Sequence, residues 1–470
     1  MSPRQLTPDS VAAASRVADA WLALRRRVLQ VPGVQAAVLF SDLLTLDTAH
    51  GWADVENEVR LSKRHLFRIA SHSKTFTATA VMQLVETGRM RLDDTLGEHV
   101  PVVRDEVARV TVRELLSHGA GVIRDGANAD YWVLGRPFPD ADELRSMTVE
   151  GAGVLPPNER FKYSNVGYAL LGQVIEGVTG RPYGDVMKEQ IIDRLGLQDT
   201  APELDAGRLG DYAVGYSSLV YADRRVPIEH VDTKAMAPAT GFGSTAADLV
   251  HYAAAHAYGD DRLLSDASKR IAQREEWDVG GEDEGHYGLG FEVLYVDDRR
   301  MVGHGGGYPG HATKTMLDPL TGLAVSVLTN AIDGPAAELA TGVVKLVNLA
   351  ADPGSEQRGT DDLDRFTGAF ASLAGRLDIV RFGSRLVGLR LHQPDPTHLA
   401  IELTPVDATT LQVSGGGSGY GAYGELMRYA FDDSGSVRSV RGPGGVQLHR
   451  LGEFAASLDD IEILRAPAGS

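Results

Sequence analysis

Ser71 and Lys74 are the residues of this chain best placed for covalent chemistry. They stand three apart in FRIASHSKTFTA, and Ser71 is the only serine followed by a lysine at that distance. On a helix, such a pair shares a face, one turn apart. A serine hydroxyl is a poor nucleophile until a base takes its proton. A lysine can be that base when burial or a neighbouring cation lowers its pKa. The first turn of a helix also directs free backbone N–H groups and a positive dipole end at Ser71. Those donors suit an oxyanion, so Ser71 is expected to contribute its own N–H.

Two further groups fit this chemistry. Tyr163-Ser164-Asn165 precedes a helical pattern and is the only Tyr-x-Asn of the chain. A tyrosine beside a cationic lysine is expected to have a lowered pKa and to shuttle a proton between Ser71 and a leaving group. Asn165 can bond Lys74 and a substrate amide together. Tyr163 read alone is equally a core tyrosine. His304-Gly305-Gly306-Gly307 follows the strand-like RRMVG. Glycines at a strand end let a ligand approach the backbone, and a substrate laid along that edge gains main-chain bonds. Gly305 and Gly306 are therefore expected to bind substrate. The Gly307 N–H is the second oxyanion donor, and His304 contributes a hydrogen bond. His286-Tyr287-Gly288 shares the His-x-Gly spacing but lacks the glycine run.

The elements that must hold these residues are legible in outline. Val17, Trp21, Leu24 and Val28 follow a helical period. VQAAVLFSD and LLTLDTAHG read as a hairpin. The Ser71 helix is expected to end near Gly88. Thr111-Val112-Arg113-Glu114 is a capping box. Residues 166–180 form a helix closed by Gly180, and 248–257 another capped by Ser244-Thr245. Short β-rich runs return in 287–329, and 334–351 is a last amphipathic helix. Strands at both ends with helices between them predict one sheet completed by both termini. Beyond the polar segment 352–362, short alternating runs recur every 8–12 residues to about 453, the pattern of a β-barrel or sandwich.

The chain has 470 residues, a net charge of −18 and no cysteine. The length predicts more than one domain. The negative charge argues against nucleic acid and anionic lipid as partners. Thiolate metal sites and disulfides are excluded. No stretch reads as a signal peptide or a membrane span, so a soluble, cytoplasmic protein is expected. Asp93-Asp94 and His118 read as capping and packing residues, Arg25-Arg26-Arg27 as a solvated face, and His251 and His256 as surface residues. The G-x-G-x-x-G at 419–424 has no helix after it, and no nucleotide site is expected there.

Together the three motifs, in this order, resemble those of the serine β-lactamase and penicillin-binding-protein superfamily. LDDTL, TVRELLSHGAGV, LGLQDT and GFGSTAADL frame them in the same way, and the likeness covers about residues 10–350. Tyr-Ser-Asn and a histidine in the third motif are similar to the class C-like branch. That branch holds β-lactamases, D-aminopeptidases, D-amino-acid amidases, esterases and DD-carboxypeptidases. The resemblance implies an α/β (α+β) catalytic domain over 1–351, an antiparallel sheet flanked by helices plus an all-helical subdomain. It further implies a linker at 352–362 and a lipocalin-like barrel over 363–470. Carried over by position, Ser71 is the acylated nucleophile, Lys74 its activator, Tyr163 the catalytic tyrosine and Asn165 the substrate-positioning amide. His304 stands where class C β-lactamases have a lysine, and Gly306 matches the third-motif glycine. A histidine mostly neutral at pH 7 is a poor anchor for an antibiotic's carboxylate. The implied activity is hydrolysis of D-amino-acid amides or short peptides, with ester hydrolysis or weak β-lactamase action as an alternative. A penicillin-binding sensor that acylates without turnover is another. No metal or organic cofactor is implied. The implied partner is a small molecule or short peptide, and the barrel offers a route to homo-oligomers.

Overall fold

The structure is a computed structural model, and it describes residues 5–100, 105–149, 151–280, 285–351, 362–418 and 421–457. The chain divides into two compact units, Leu29–Thr341 and the segments Met1–Val28 with Gly342–Ser470.

The first unit is built on a nine-stranded antiparallel sheet. Its strands are β1 (Gly33–Phe40), β2 (Leu43–Asp54), β3 (Val59–Arg60), β4 (Trp277–Asp278), β5 (His286–Tyr287), β6 (Glu292–Val296), β7 (Arg299–Tyr308), β8 (His311–Leu317) and β9 (Ala324–Thr329). They lie in the order β3-β2-β1-β9-β8-β7-β6-β5-β4. Strand β1 pairs with β9, so both ends of the unit complete one sheet as expected. Both strands are buried along their whole length. The buried Gln35 of β1 is fully used. Its Nε2 donates to Ser62 O and His65 O at 3.1 Å, and its Oε1 accepts from the N–H of Ala246 at 2.6 Å.

Three helices of this unit bear on the site. α2 (Ser73–Glu86) is buried nearly all round, its Ser73, Lys74, Thr75, Thr77 and Thr79 included, with only its last turn reaching solvent. α3 (Asn165–Thr179) is capped by Ser164 Oγ, which accepts from Gly167 N, and it ends at Gly180 with φ +70°. α4 (Ala246–Ala254), capped by Thr245, packs on β1 and β9. The expected capping box at Thr111 and Glu114 is formed in both directions.

The second unit holds a closed eight-stranded barrel. Its strands are β10 (Gly368–Ser372), β11 (Gly375–Phe382), β12 (Arg385–Leu389), β13 (Ile401–Asp407), β14 (Thr410–Gly416), β15 (Leu426–Phe431), β16 (Val437–Arg441) and β17 (Gln447–Arg450). Phe366, Phe370, Met427 and Tyr429 lie at the centre of its core.

The compact units do not divide at residue 351. α1 (Pro8–Val28) and the later part of α5 (Ala336–Ala350) group with the barrel residues. Packing gives the reason. Trp21 is fully buried, and a Cβ on Gly342 would sit 2.2 Å from its ring. Its indole N–H donates to Gln393 O at 3.2 Å, and Lys345 pairs with Asp395 at 2.6 Å. Arg25, expected on a solvated face, is buried and donates to His392 O at 3.1 Å. The linker expected at 352–362 lies outside the described residues except for Asp362. Among those residues no helix is long and apolar enough to cross a membrane.

Candidate active site

Ser71 sits where an extended segment breaks into a helix. Phe67 and Arg68 pair with Ser244 and Gly243, and the Ile69 N–H donates to Phe242 O at 2.9 Å. Ala70 then takes φ +49°, a left-handed value disfavoured for any residue with a Cβ. A single 3₁₀ turn over Ala70–His72 follows and runs into α2. Ser73 fixes this turn, its Oγ donating to Ala70 O at 2.6 Å and accepting from Phe242 N at 3.1 Å.

Lys74 lies one turn on and is fully buried. Its Nζ reaches Asn165 Oδ1 at 2.7 Å, Ala239 O at 2.9 Å and Ser71 Oγ at 3.1 Å. Burial pushes its pKa well below the ordinary lysine value, and Arg124 adds to that, against an opposing effect of Asp125. All three partners accept from Nζ, and the contact with Ser71 Oγ sets the amine within reach of the serine proton once it is deprotonated. The Asn165 amide is oriented for this by Asp125, whose Oδ1 accepts from Nδ2 at 2.6 Å. Asp125 is held in turn by the Trp132 indole at 2.9 Å and by Arg124 at 3.1 Å.

The Tyr163 hydroxyl donates to Ser71 Oγ at 2.8 Å. Its pKa moves against the sequence expectation. Burial raises it, and the Ser71 bond offsets this only in part. Tyr163 is therefore a neutral phenol, suited to relaying a proton rather than removing one. Its ring packs on His118, 4.3 Å between centroids. His118 is buried and accepts from Ser164 N at 3.1 Å, so its packing role holds Tyr163 and the α3 cap together.

His304 is 2% exposed. Its Nδ1 lies 2.6 Å from Gly305 O, an acceptor, so Nδ1 carries the proton. Nε2 then accepts from the Tyr287 hydroxyl at 3.0 Å. Burial lowers its pKa to about 4, although Glu292 pulls the other way. The ring is neutral near pH 7, and both nitrogens are engaged within the protein. Of the rival His-x-Gly segment, Tyr287 rather than His286 reaches the site. Burial opposes ionisation of Glu292, but Lys314 and His304 hold its carboxyl down to about 2. Glu292 ion-pairs with Lys314, lies 3.4 Å from His304 Nδ1 and accepts from the Gly305 N–H.

The strand carrying the glycines has a partly open edge. β7 pairs with β8 through residues 302–308, but with β6 only through 299–303. Alternation along a strand puts the N–H of Gly307 on the same edge as that of Gly305. Gly307 is exposed. Gly306 faces inward, where a Cβ would lie 2.2 Å from Ile69 O and 2.5 Å from Thr313 Oγ1. Only glycine lets β7 lie this close to the Ser71 turn. His72, between the motif residues, closes the junction. Its Nε2 contacts Thr315 Oγ1 at 2.8 Å and its Nδ1 contacts Ile69 O at 3.1 Å.

The structure thus joins Ser71, Lys74, Tyr163 and Asn165 in one hydrogen-bonded group, with the His304–Gly307 strand beside the Ser71 turn. Sequence reading missed Asp125, Glu292, Tyr287, Lys314 and the Ala239 carbonyl. His256, expected on the surface, is buried and bonded to Thr79 Oγ1 at 2.9 Å. Among the described residues one cluster of possible metal ligands occurs, Asp94, Glu98 and His99. Asp94 accepts from Arg91 N and Glu98 from Thr95 N, so local capping accounts for both carboxylates. Gly419 and Tyr420 of the glycine-rich segment lie outside the described residues.

The chain is similar to several known proteins. Penicillin-binding protein 4* of Bacillus subtilis is 31% identical over 282 residues, which is 56% of this chain. The chain spans 60% of that relative's length. The D-amino acid amidase of Ochrobactrum anthropi SV3, solved with D-phenylalanine, is 25% identical with a TM-score of 0.62. That match covers 72% of this chain and 99% of the amidase. The octameric penicillin-binding protein homologue of Pyrococcus abyssi shares the fold over 90% of this chain and 97% of its own, at 24% identity and a TM-score of 0.65. The beta-lactamase family model matches residues 20–348 and so runs through all three motifs. On that extent of match the chain belongs to the beta-lactamase family, within the serine hydrolase superfamily.

Proposed function

We propose that the chain hydrolyses amide bonds of D-aminoacyl amides or short peptides through an acyl-enzyme on Ser71. The observation that carries this reading is the placement of Lys74, buried with a lowered pKa, 3.1 Å from Ser71 Oγ and held by Asn165 and Ala239. Ser71 Oγ attacks the carbonyl carbon as its proton passes to Lys74. The backbone N–H groups of Ser71 and Gly307 hold the oxyanion. When the tetrahedral intermediate collapses, the C–N bond breaks. The Lys74 ammonium returns its proton through the Tyr163 hydroxyl to the leaving amine. Water then cleaves the ester and Ser71 regains its proton. Gly305 and Gly306 shape the strand along which substrate lies, and His304 fixes that strand from beneath.

The neutral, internally satisfied His304 supports amides over β-lactams, because it offers no permanent charge to a carboxylate. The amidase likeness supports a D-configured acyl group. The test is a panel of D- and L-phenylalanine amides, p-nitrophenyl esters and nitrocefin, run on the wild type and on Ser71→Ala. Turnover of the D-amide that vanishes in Ser71→Ala is expected. Turnover surviving that substitution would overturn the mechanism. A stable β-lactam adduct in intact-protein mass spectrometry, with no amide or ester turned over, would replace the enzyme by a sensor. Turnover of the esters alone would assign an esterase.

A further inference from the structure

Glu292 and Lys314 stand beside the site, yet neither moves a proton in the acyl transfer. β6 begins at Glu292, opposite Gly303 of β7, and the ladder between the two strands stops there. The Glu292 side chain takes over the freed edge, its carboxylate accepting from the Gly305 N–H. The same carboxylate pairs with Lys314 of β8, the ladder partner of Gly305. A Cβ on Gly305 would lie 3.7 Å from both Glu292 Oε1 and Lys314 Cδ, so the ion pair packs directly on the strand at this residue. Glu292 is the more open member, with 26% of its side chain exposed against 10% for Lys314. The charge within reach of a ligand here is therefore negative.

This pair lies at the leaving-group end of the site. Tyr163 hands the leaving amine its proton, and its ring lies 6.5 Å from the ring of His304, the neighbour of Gly305. The Glu292 charge is felt at Tyr163 and at Lys74. Gly307, the oxyanion donor, stands two residues further along the strand. Groups attached beyond the scissile C–N bond thus come to rest near Gly305. A carboxylate there meets two obstacles. The main-chain N–H that could receive it is already taken, and the group that took it carries the same charge. Lys314, the cation that could hold it instead, is already paired with Glu292.

We propose that Glu292, by capping the Gly305 N–H and neutralising Lys314, makes the site reject leaving groups with a free carboxylate and select those that end in an amide. Such selection rests on the acyl-enzyme reading and narrows its substrate to a primary amide or an amidated peptide, as against a dipeptide with a free C-terminus.

The test compares D-phenylalanyl-glycinamide with D-phenylalanyl-glycine, which differ only in the terminal group, by kcat/KM. The wild type should prefer the amidated substrate by about tenfold or more, mainly through KM. Glu292→Gln keeps the shape, removes the negative charge and frees Lys314, so that preference should fall about tenfold, whatever the change in absolute rate. Glu292→Asp retains the charge and should retain the preference. Glu292→Gln combined with Lys314→Met leaves no unpaired charge behind; it serves should the single variant fold poorly, and it should lower the preference about threefold. The same contrast is read from the rates at which benzylpenicillin and its methyl ester acylate Ser71, followed by intact-protein mass spectrometry, so that a protein which acylates without turnover is tested as well. A wild-type preference for the free acid, or a preference unchanged in both glutamine variants, would overturn the inference. Turnover of the amidated substrate by Ser71→Ala would instead refute the acyl-enzyme reading, and a Glu292→Gln effect persisting in that background would still support the filter.

Discussion

Replacing Lys74 with methionine isolates the contribution of its lone pair. Methionine has nearly the length of the lysine stem and brings no charge into a site where Lys74 is 0% exposed. Two acceptors, Asn165 Oδ1 and Ala239 O, lose their donor, at about 1–3 kcal/mol each. Against this, the folded state no longer has to keep an amine out of water. The sign follows from linkage. Burial lowers the Lys74 pKa in the folded state, so between that lowered pKa and the ordinary lysine value the unfolded chain binds the extra proton. That binding favours unfolding, and methionine removes it. The unfolding midpoint is therefore expected to stay close to that of wild type. Activity is not. Loss of a positioned general base lowers kcat by about 10²–10⁴, or roughly 3–5 kcal/mol of barrier. The wild type should also lose activity as pH falls through the lowered Lys74 pKa. The variant's residual rate should lack that acid limb. The assay is kcat over pH with an aminoacyl amide, alongside the rate of fluorophosphonate labelling. A variant within threefold of wild-type kcat, or one that keeps the acid limb, would refute Lys74 as the base.

Tyr163→Phe removes the relay and leaves the packing on His118; kcat should fall about 10²-fold or more with KM little changed, measured by steady-state kinetics on the same amide. Gly306→Ala drives a Cβ into Ile69 O at 2.2 Å, so the Ser71 turn must shift; a stability loss of about 1–3 kcal/mol in urea melts, with lower kcat, is expected. His304 and His256 are buried with pKa values lowered to about 4, and His72 to about 3. Each resists the proton that the unfolded chain accepts near 6.5, so stability should fall as pH drops from 6.5 towards 4, by about 2 kcal/mol per histidine at pH 5. Urea unfolding at pH 7 and pH 5 checks this, and equal midpoints would contradict it.

The hydrogen-bonded group of Ser71, Lys74, Tyr163 and Asn165 was largely legible because its key relation is local. Ser71 and Lys74 are neighbours by helical geometry alone, and Tyr163 and Asn165 announce themselves by flanking the start of a helix. The barrel was legible for a similar reason, since alternation every second residue is a local property. What escaped reading depends on pairing over long distances. Asp125 meets Asn165 across 40 residues, and Tyr287 meets His304 because β5, β6 and β7 are neighbours in the sheet. The Tyr163 pKa was misjudged because desolvation outweighs the neighbouring amine, and burial is not written in a motif. Trp21 and Gly342 stand more than 300 residues apart in sequence, and their contact moves the first helix to the barrel's unit.

One acceptor of Lys74 is a main-chain carbonyl, and this affects how the site tolerates change. Substitution at position 239 leaves the Ala239 oxygen in place as long as the Ala237–Thr240 turn keeps its path. Half of what confines the amine is thus insulated from point mutation. The turn itself is wedged, since a Cβ on Gly172 would strike Pro238 at 2.2 Å. The exposed stretch 220–224 can diverge, or be exchanged by an engineer seeking new substrates, provided that the turn and the glycine beneath it travel together. Selectivity and reactivity are in this sense separately inheritable. A graft that carries the loops but not Gly172 and Pro238 should yield a protein that still recognises its ligand and has lost the base that acts on it.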